Sequence, residues 1–396
     1  MKEKIKALIF ANVFPRPAQP NTGFYIMEQV KRLREHMDVK IVVASPCNFM
    51  ERYSDKLPGR ISYNDFDIFQ PQYYTLPKIG VLTSGSMYEK GLSELVEEIH
   101  EEFPFDIIIC YWTYPEGFAA GRFARKYNVP LVIRPRGSDV NAYVNNFLLR
   151  RLITRSLSQA DKIIPVSQNL VSSIRKLGID DERLTYIHNG IDTQQFRLLD
   201  RQQCRQKLGL GREEQIVLFV GSFIDIKGIS YYLDAIKMVD KKGLKVKFVF
   251  LGRGILEEKI LEVKSTLKNS HIEVKGDIPH KQLGEWMNAS DALCLPSLME
   301  GCPNVVLEAM ACGIPVLASR IGGVPELVND QKLGILFKAG DAKQIASAIE
   351  RSLEYQWDRS FLVERVRNQS WDDVVSRLYK HCETLIKEKE EVNHGK

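Results

Sequence analysis

Two hydrophobic patterns alternate along this chain. Short continuous apolar runs rich in Ile, Val and Phe are separated by longer stretches in which apolar residues return every third or fourth position. Runs of the first kind read as strands buried on both faces and the stretches between them as amphipathic helices. In the first half, strands are expected at 7–10, 40–44, 107–111, 131–134 and 162–166, with helices such as 25–36 and 117–127 between them. A second series begins at 215–220 and continues at 247–251, 272–275, 292–296 and 315–318, with helices including 229–239, 281–288 and 305–311. Such alternation predicts parallel α/β sheets. Polar, irregular 192–205 separates the two series and reads as an interdomain linker. The expected architecture is therefore two Rossmann-like domains facing each other across a cleft, with ligands beyond the carboxyl ends of the strands.

Composition changes this picture little. A chain of 396 residues is long enough for two cores, and 44% hydrophobic with 27% charged residues is ordinary for a globular protein. The first residues, Met1-Lys2-Glu3-Lys4-Ile5-Lys6, lead into a short apolar stretch that reaches Asn12 without a small-residue cleavage site, and read as a first strand. No apolar run is long enough to span a bilayer. Cysteines 47, 110, 204, 294, 302, 312 and 382 have no metal-type spacing and read as reduced core thiols. A cytoplasmic protein is expected. The net charge of +5 is mild but uneven: 94–106 is acidic and 122–176 basic. Within the basic part, 147–157 is amphipathic at helical period. It either packs on a sheet with Arg outward or contacts an anionic inner-leaflet membrane surface. Basic patches with interleaved aromatics are missing, which disfavours nucleic acid.

Candidate chemistry gathers in the loops after strands. Phe14 to Gly23 opens a helix, and Gly23 would let backbone approach a phosphate. Arg134-Pro135-Arg136-Gly137-Ser138-Asp139 follows the fourth strand. Val220-Gly221-Ser222 to Lys227-Gly228 opens the second series with a lone Lys near a helix start, and Leu251-Gly252-Arg253-Gly254 ends the next strand. Each Gly alone is explained by turn chemistry; four such loops in one chain shift the balance. Neither GxGxxG after a strand nor GxxxxGK[ST] is present, so dinucleotide and P-loop chemistries lose support. The densest segment is 298–313. Glu300 and Glu308 bracket Gly301, Pro303 and Asn304. Pro303 suits a first helical turn, 305–311 reads as buried helix, and Gly313-Ile314-Pro315 stops it. Glu300 then lies beside free N–H groups at a helix start, an anion site, and Glu308 about a turn and a half inside. Phosphate beside polyols is the composition of a sugar nucleotide. On spacing alone, a capped surface helix with an ordinary acidic residue explains the segment as well.

Glu300-x7-Glu308, within Glu-Gly-Cys-Pro-Asn-Val-Val-Leu-Glu-Ala-Met-Ala-Cys-Gly-Ile-Pro-Val, resembles the signature of the retaining family 4 glycosyltransferases of the GT-B fold. Ile321-Gly322-Gly323-Val324-Pro325-Glu326, His188-Asn189-Gly190-Ile191-Asp192, Ser290-Asp291, Val220-Gly221 with Lys227-Gly228, and Ser370-Trp371 before a last helix agree with it. The resemblance covers nearly the whole chain. It implies an acceptor domain, 1–195, completed by a last helix, 372–396, crossing back to it, and a nucleotide-sugar donor domain, 205–371. It implies catalytic roles for Lys227 on the diphosphate and Glu300 on the donor-sugar hydroxyls. Backbone groups of Cys302, Asn304 and Val305 assist Glu300, and Glu308 binds the ribose hydroxyls. Gly276 to Ile278 lie by the base, Gly23 contacts the diphosphate across the cleft, and Arg136, Asp139 and Asn189 belong to the acceptor side. A saccharide or lipid-linked saccharide acceptor is implied, within polysaccharide or glycolipid biosynthesis, with no metal or other cofactor.

Two positions depart from the family pattern. Ser222 stands where many members have an Arg on the diphosphate, a loss that Arg253 would have to cover. Arg136 stands where many have His, and a guanidinium braces an anion but shuttles no proton. These departures keep open a catalytically weak or inactive nucleotide-sugar binder of the same fold. A glycosidase using Glu300 and Glu308 is less favoured, because its carboxylates must face each other across a bond. Asp65-Phe66-Asp67 resembles a metal-binding Asp-x-Asp, but among Tyr63, Phe66 and Phe69 it reads better as a strand or loop. The histidines show no ligand spacing.

Overall fold

The structure, a computed structural model, describes residues 4–17, 22–48, 59–76, 80–141 and 146–394. The chain divides into two compact units: Met1–Asn189 with Trp371–Lys396, and Gly190–Ser370. Residues 18–21, within the loop expected from Phe14 to Gly23, lie outside the described residues.

Among the described residues the first unit holds the strands β1 (Ile5–Phe10), β2 (Met37–Val42), β3 (Ser45–Asn48), β4 (Arg60–Tyr63), β5 (Phe66–Phe69), β6 (Gln72–Thr75), β7 (Ile107–Cys110), β8 (Leu131–Ile133) and β9 (Lys162–Ile163). Seven form a sheet in the order β4-β5-β2-β1-β7-β8-β9, parallel except for the β4–β5 hairpin, while β3 and β6 pair separately. The central strands are buried on both faces, which is why they read as unbroken apolar runs and not as alternation. One face packs against the helices Phe24–His36 and Trp371–His394, through Ile26, Val30 and Leu33 from the first and Trp371, Val374, Leu378 and Cys382 from the second. The last helix is therefore part of this unit. On the other face Phe10 stacks on Phe123 and meets Tyr88.

The second unit holds β10 (Gln215–Val220), β11 (Val246–Leu251), β12 (His271–Gly276), β13 (Ala292–Leu295), β14 (Val316–Ser319) and β15 (Gly334–Phe337), all parallel, in the order β12-β11-β10-β13-β14-β15. Its two faces are covered by separate apolar clusters. One contains Phe219, Tyr232, Phe248 and Phe250, and the other Leu218, Leu293, Leu307 and Met310.

Some sequence expectations shift for physical reasons. The strand expected at 40–44 starts at Met37, which is buried and pairs with Ile5 directly after the helix ends at His36. The strand expected at 162–166 stops at Ile163. Ile164 still donates to the Ile133 carbonyl, but Pro165 has no N–H to continue the ladder. The helix expected at 281–288 begins at Leu283 after a 3-10 turn at His280–Gln282. Asp65-Phe66-Asp67 is a hairpin: Asn64 and Asp65 take positive φ at the turn and Asp67 pairs with Arg60.

Residues 192–205, read as a linker, are folded into the second unit. Arg205 is buried, donating to the Ala289 carbonyl and to Asp291, which also pairs with Arg201 and accepts the Ile216 N–H at 2.8 Å. Polar composition concealed this, because the segment is held by buried charge and not by apolar periodicity. Asp291→Ala leaves the buried Arg205 guanidinium with backbone carbonyls but no counter-charge and is expected to destabilise the second unit by about 3 kcal/mol. A urea-unfolding transition that does not move would refute this accounting.

Candidate active site

In the second unit, two loops at the carboxyl ends of β10 and β13 carry most of the expected residues. After β10 the chain makes a 3-10 turn, Asp225–Lys227, and enters the helix Ile229–Lys241. Gly228 between them has φ 70°, and a Cβ there would lie 2.0 Å from the Pro296 carbonyl oxygen. Only glycine lets that helix start close on the end of β13. The Leu298 N–H then donates to the Ile226 carbonyl at 2.8 Å, tying the two loops together. Across this junction Lys227 Nζ meets Glu300 Oε1 at 2.7 Å, and Ser297 Oγ donates to the same oxygen at 2.7 Å. Glu300 keeps only 10% of its side-chain surface and Lys227 26%, so this pair is screened far less than a surface ion pair.

Pro303 precedes the helix Asn304–Ala311, and no side chain caps that helix. Its start therefore presents the positive end of the helix dipole. Val306, Leu307, Ala309 and Met310 bury the helix against the sheet. Glu308 sits at the rim of that packing with 14% of its side chain exposed. Burial pushes its pKa to about 8. His280 Nε2 lies 4.0 Å from Glu308 Oε1, a distance that would ordinarily be read as an ion pair. Burial, however, also pushes His280 down to about 4, so near neutral pH His280 is uncharged and Glu308 largely protonated. Gln195 Nε2 lies 2.8 Å from His280 Nδ1 and 2.7 Å from the His280 carbonyl. With the amide donating to both, the ring proton sits on Nε2, on the side of Glu308. Ser297, Gln195 and His280 carried no role in the sequence reading. Their only signals were a turn after a strand and a His two residues beyond Ile278, both too common to single out.

The remaining donor-side residues are more peripheral. Ser222 is exposed. Arg253 keeps 68% of its side-chain surface and lies 3.6 Å from Asp277, itself 55% exposed. Gly276, at φ 67°, ends β12 against the Arg253 side chain, and Ile278 packs on the edge of the apolar core. Cys302 and Val305 flank the helix start and pack on the same cluster.

In the first unit, Gly23 caps the helix Phe24–His36 at φ 73°. A Cβ there would lie 2.7 Å from the Val13 backbone, so packing of the chain on itself already requires glycine. Asp139 is fully buried. It accepts from the backbone N–H groups of Arg136 and Gly137 on Oδ1, and from the N–H and hydroxyl of Thr113 on Oδ2, holding the loop after β8 to the loop after β7. Arg136, 8% exposed, donates from Nη1 to Asn189 Oδ1 at 2.9 Å, and its guanidinium carbon lies 4.4 Å from the centre of the Tyr25 ring. Asn189 also offers its carbonyl to His188 Nδ1 at 2.7 Å. Arg136, Asp139 and Asn189 thus form one cluster in the first unit, while Lys227, Glu300 and the start of Asn304–Ala311 form another in the second. Among the described residues, no group of three or more His, Cys, Asp or Glu is arranged to hold a metal ion.

The sequence pattern of the Glycosyltransferase Family 4 matches residues 22–195, and that of the Glycosyl transferases group 1 matches residues 200–369. This chain is a family 4 glycosyltransferase. TuaC of Bacillus subtilis, provisionally named for teichuronic acid biosynthesis, is 27% identical to this glycosyltransferase over 361 residues, 88% of this chain and 89% of TuaC. The N-acetyl-alpha-D-glucosaminyl L-malate synthase of Bacillus anthracis is 24% identical over 93% of this chain and 94% of its own. Among solved structures, sucrose-phosphate synthase of Thermosynechococcus elongatus superposes with a TM-score of 0.78 at 18% identity, covering 97% of this glycosyltransferase and all of that chain. HepE of Anabaena in complex with UDP gives 0.71 over 96% and 100%, also at 18% identity. Both are structures of the GT-B fold, which this glycosyltransferase shares.

The raised pKa of Glu308 carries a stability signature. The folded enzyme keeps that proton up to about pH 8, whereas the unfolded chain releases it near 4.5, so the native state binds more protons through this interval. Stability from this group falls as pH rises from about 4.5 to 8. Glu308→Gln removes the dependence and is expected to gain on the wild type by about 1.4 kcal/mol per pH unit across that window. Denaturant melts at pH 5.5 and 8 measure the slope, and parallel curves for the two proteins would contradict it.

Proposed function

We propose that this enzyme transfers a sugar from a nucleotide-diphosphate donor to a saccharide or lipid-linked saccharide acceptor, with retention at the anomeric carbon and without a metal. The observation that carries the reading is Lys227 joined to Glu300 beside the uncapped start of Asn304–Ala311, with Glu308 one turn inside. A diphosphate at that start meets the helix dipole and the Lys227 ammonium, and both stabilise the charge that grows on the leaving group. As Lys227 turns to the diphosphate, Glu300 is freed to accept from donor-sugar hydroxyls while Ser297 keeps it in place. Glu308 takes the ribose hydroxyls and Gly276 to Ile278 the base. The acceptor belongs to the first unit, 1–195 with the last helix, and the donor to 205–371. In the transfer, the bond from the anomeric carbon to the phosphate oxygen breaks and one to the acceptor oxygen forms on the same face. The acceptor proton goes to the departing diphosphate, so no separate general base is needed. The named activities of TuaC and of the L-malate synthase support a role in making cell-surface polysaccharide or a related small glycoside.

Thermal-shift measurements with UDP, GDP, ADP and CMP test the donor side. One nucleotide at about 100 times its dissociation constant is expected to add about 2.7 kcal/mol of stability, and Glu308→Ala to lose most of it. Lys227→Ala is expected to lower turnover at least tenfold, and EDTA to leave turnover unchanged. No stabilisation by any nucleotide, or near-native rates in both variants, would refute the site.

A lipid-linked acceptor would bring the enzyme to a membrane, and one surface favours this. The helix Phe147–Leu157 leaves Phe147 70% and Leu148 52% exposed beside Arg150, Arg151 and Arg155, along a groove of about 770 Å³ that Leu82 also lines. Among the described residues no helix is long and apolar enough to cross a membrane, so contact of this kind would be interfacial. Co-flotation with phosphatidylglycerol vesicles is expected, and Phe147→Ser with Leu148→Ser should abolish it. Equal flotation of the variant would remove the membrane from this reading.

A further inference from the structure

Burying a guanidinium without matching its N–H groups is costly, and the first unit does so twice on one face of its sheet. Arg136 uses Nη1 on Asn189 and interacts with the Tyr25 hydroxyl, while Nε and Nη2 meet no acceptor in hydrogen-bond geometry among the described residues. Arg134, two positions earlier and wholly buried, has no hydrogen-bond partner among the described residues for any of its three nitrogens. Between them stands Tyr111, whose hydroxyl is likewise unmatched and whose ring lies 5.4 Å from the Arg136 guanidinium carbon. The carboxylate on this loop offers no relief. Both oxygens of Asp139 are taken up by the loop's own donors, so the cluster holds two buried positive charges and an acid already committed to the backbone.

The two arginines differ in access. Arg134 has no exposed surface and lies beside Cys382 and Arg377 of the last helix. It adds positive potential but cannot be touched. Arg136 retains some surface, sits in the loop beyond β8, and is fixed in direction by Asn189 and by the half-buried Tyr25 ring. Its unmatched Nε and Nη2 are themselves closed to solvent; they are the edge through which a guanidinium receives a carboxylate or phosphate by two parallel hydrogen bonds, and an anion reaches them only as the side chains over them give way.

We propose that Arg136 is a specificity residue that binds an anionic group, a carboxylate or a phosphate, on the acceptor. The inference rests on the transferase reading above, in which the first unit holds the acceptor. The site accepts an anionic sugar or sugar phosphate and discriminates against its neutral counterpart, because a neutral acceptor leaves the buried guanidinium edge unmatched. The energy of pairing is available for selectivity because Asn189 and Tyr25 already hold the group in place.

The test follows the arginine Nε–Hε signals of the full-length 15N-arginine-labelled protein by NMR, with Arg136→Lys to assign the Arg136 signal and Asn189→Ala to assign it independently should that variant not fold. Inorganic phosphate and methyl β-D-glucuronide are the anionic probes, methyl β-D-glucoside the neutral one, and sodium chloride the ionic-strength control. The expected result is a saturable shift of the Arg136 signal with at least one anion and none with the glucoside or the salt. The Arg134 signal should move less. The stronger of the two anions distinguishes phosphate from carboxylate recognition. In turnover, an acidic acceptor is expected to be preferred at least tenfold over its neutral isostere, and Arg136→Gln to erase that ratio while nucleotide binding is unchanged. An Arg136 signal unmoved by both anions, or moved equally by the glucoside, overturns the proposal. Nucleotide stabilisation and its loss in Glu308→Ala report on the second unit separately. Failure there would strike the transferase reading, and failure at Arg136 with nucleotide binding intact would strike this inference alone.

Discussion

Everything in this protein depends on a backbone constraint. Parallel strands buried on both faces must satisfy their N–H and C=O groups within the ladder, and each return to the start of the next strand needs a crossover. In both units that crossover is usually a helix, so successive strand ends emerge along one edge of each sheet. Loops there are free of the ladder and can hold charged side chains. Lys227 and Glu300 come from loops 73 residues apart in sequence, yet they meet because β10 and β13 are neighbours in the sheet. The pair is a consequence of strand order, and the close approach of Gly228 to Pro296 sets its distance.

Burial then decides what the charged groups are. Lys227 and Glu300 face each other closely enough to remain an ion pair. Glu308 and His280, only 4.0 Å apart, do not, because desolvation acts on both and the Coulomb gain at that distance does not repay it. A neutral carboxyl beside a neutral imidazole is a hydrogen-bonding surface that can both donate and accept. The same desolvation makes the site a liability for folding at alkaline pH. That is consistent with a group kept for binding and not for stability.

Much of this was legible in the chain. The run 215–220 is β10 without adjustment, because a fully buried parallel strand has an unbroken apolar code. The segment 147–157 is the expected amphipathic helix, with Asn146 capping it through its side chain. In the Glu300-to-Glu308 segment the helix starts at Asn304, with Pro303 as its extended N-cap and not in its first turn, and it ends before Gly313. What sequence did not carry was anything fixed by long-range polar contact. The second unit begins at Gly190 and includes 192–205 because Asp291, almost a hundred residues on, gathers Arg201 and Arg205. The pairing of Gln195 with His280 has no local signature either, since it joins that same segment to the turn after β12. Gly23 also meets a constraint that periodicity cannot express, since a Cβ there would lie 2.7 Å from the Val13 backbone.

The two units treat their buried charges differently, and the difference is informative. In the second unit the buried Arg205 is matched by Asp291 and by backbone carbonyls, and Lys227 by Glu300. Positive charge there is neutralised within the fold. In the first unit, Arg134 and Arg136 are left with five nitrogens unmatched, although Asp139 is close enough to hold the Arg136 backbone. A core selected only for stability would replace such groups with apolar side chains of similar volume, a change that is often neutral or stabilising. On the proposal made for Arg136, the missing counter-charge of that guanidinium arrives with the acceptor, and Arg134 behind it adds positive potential without contact. On that proposal, Arg136 in place of a His would set which acceptor the first unit recognises.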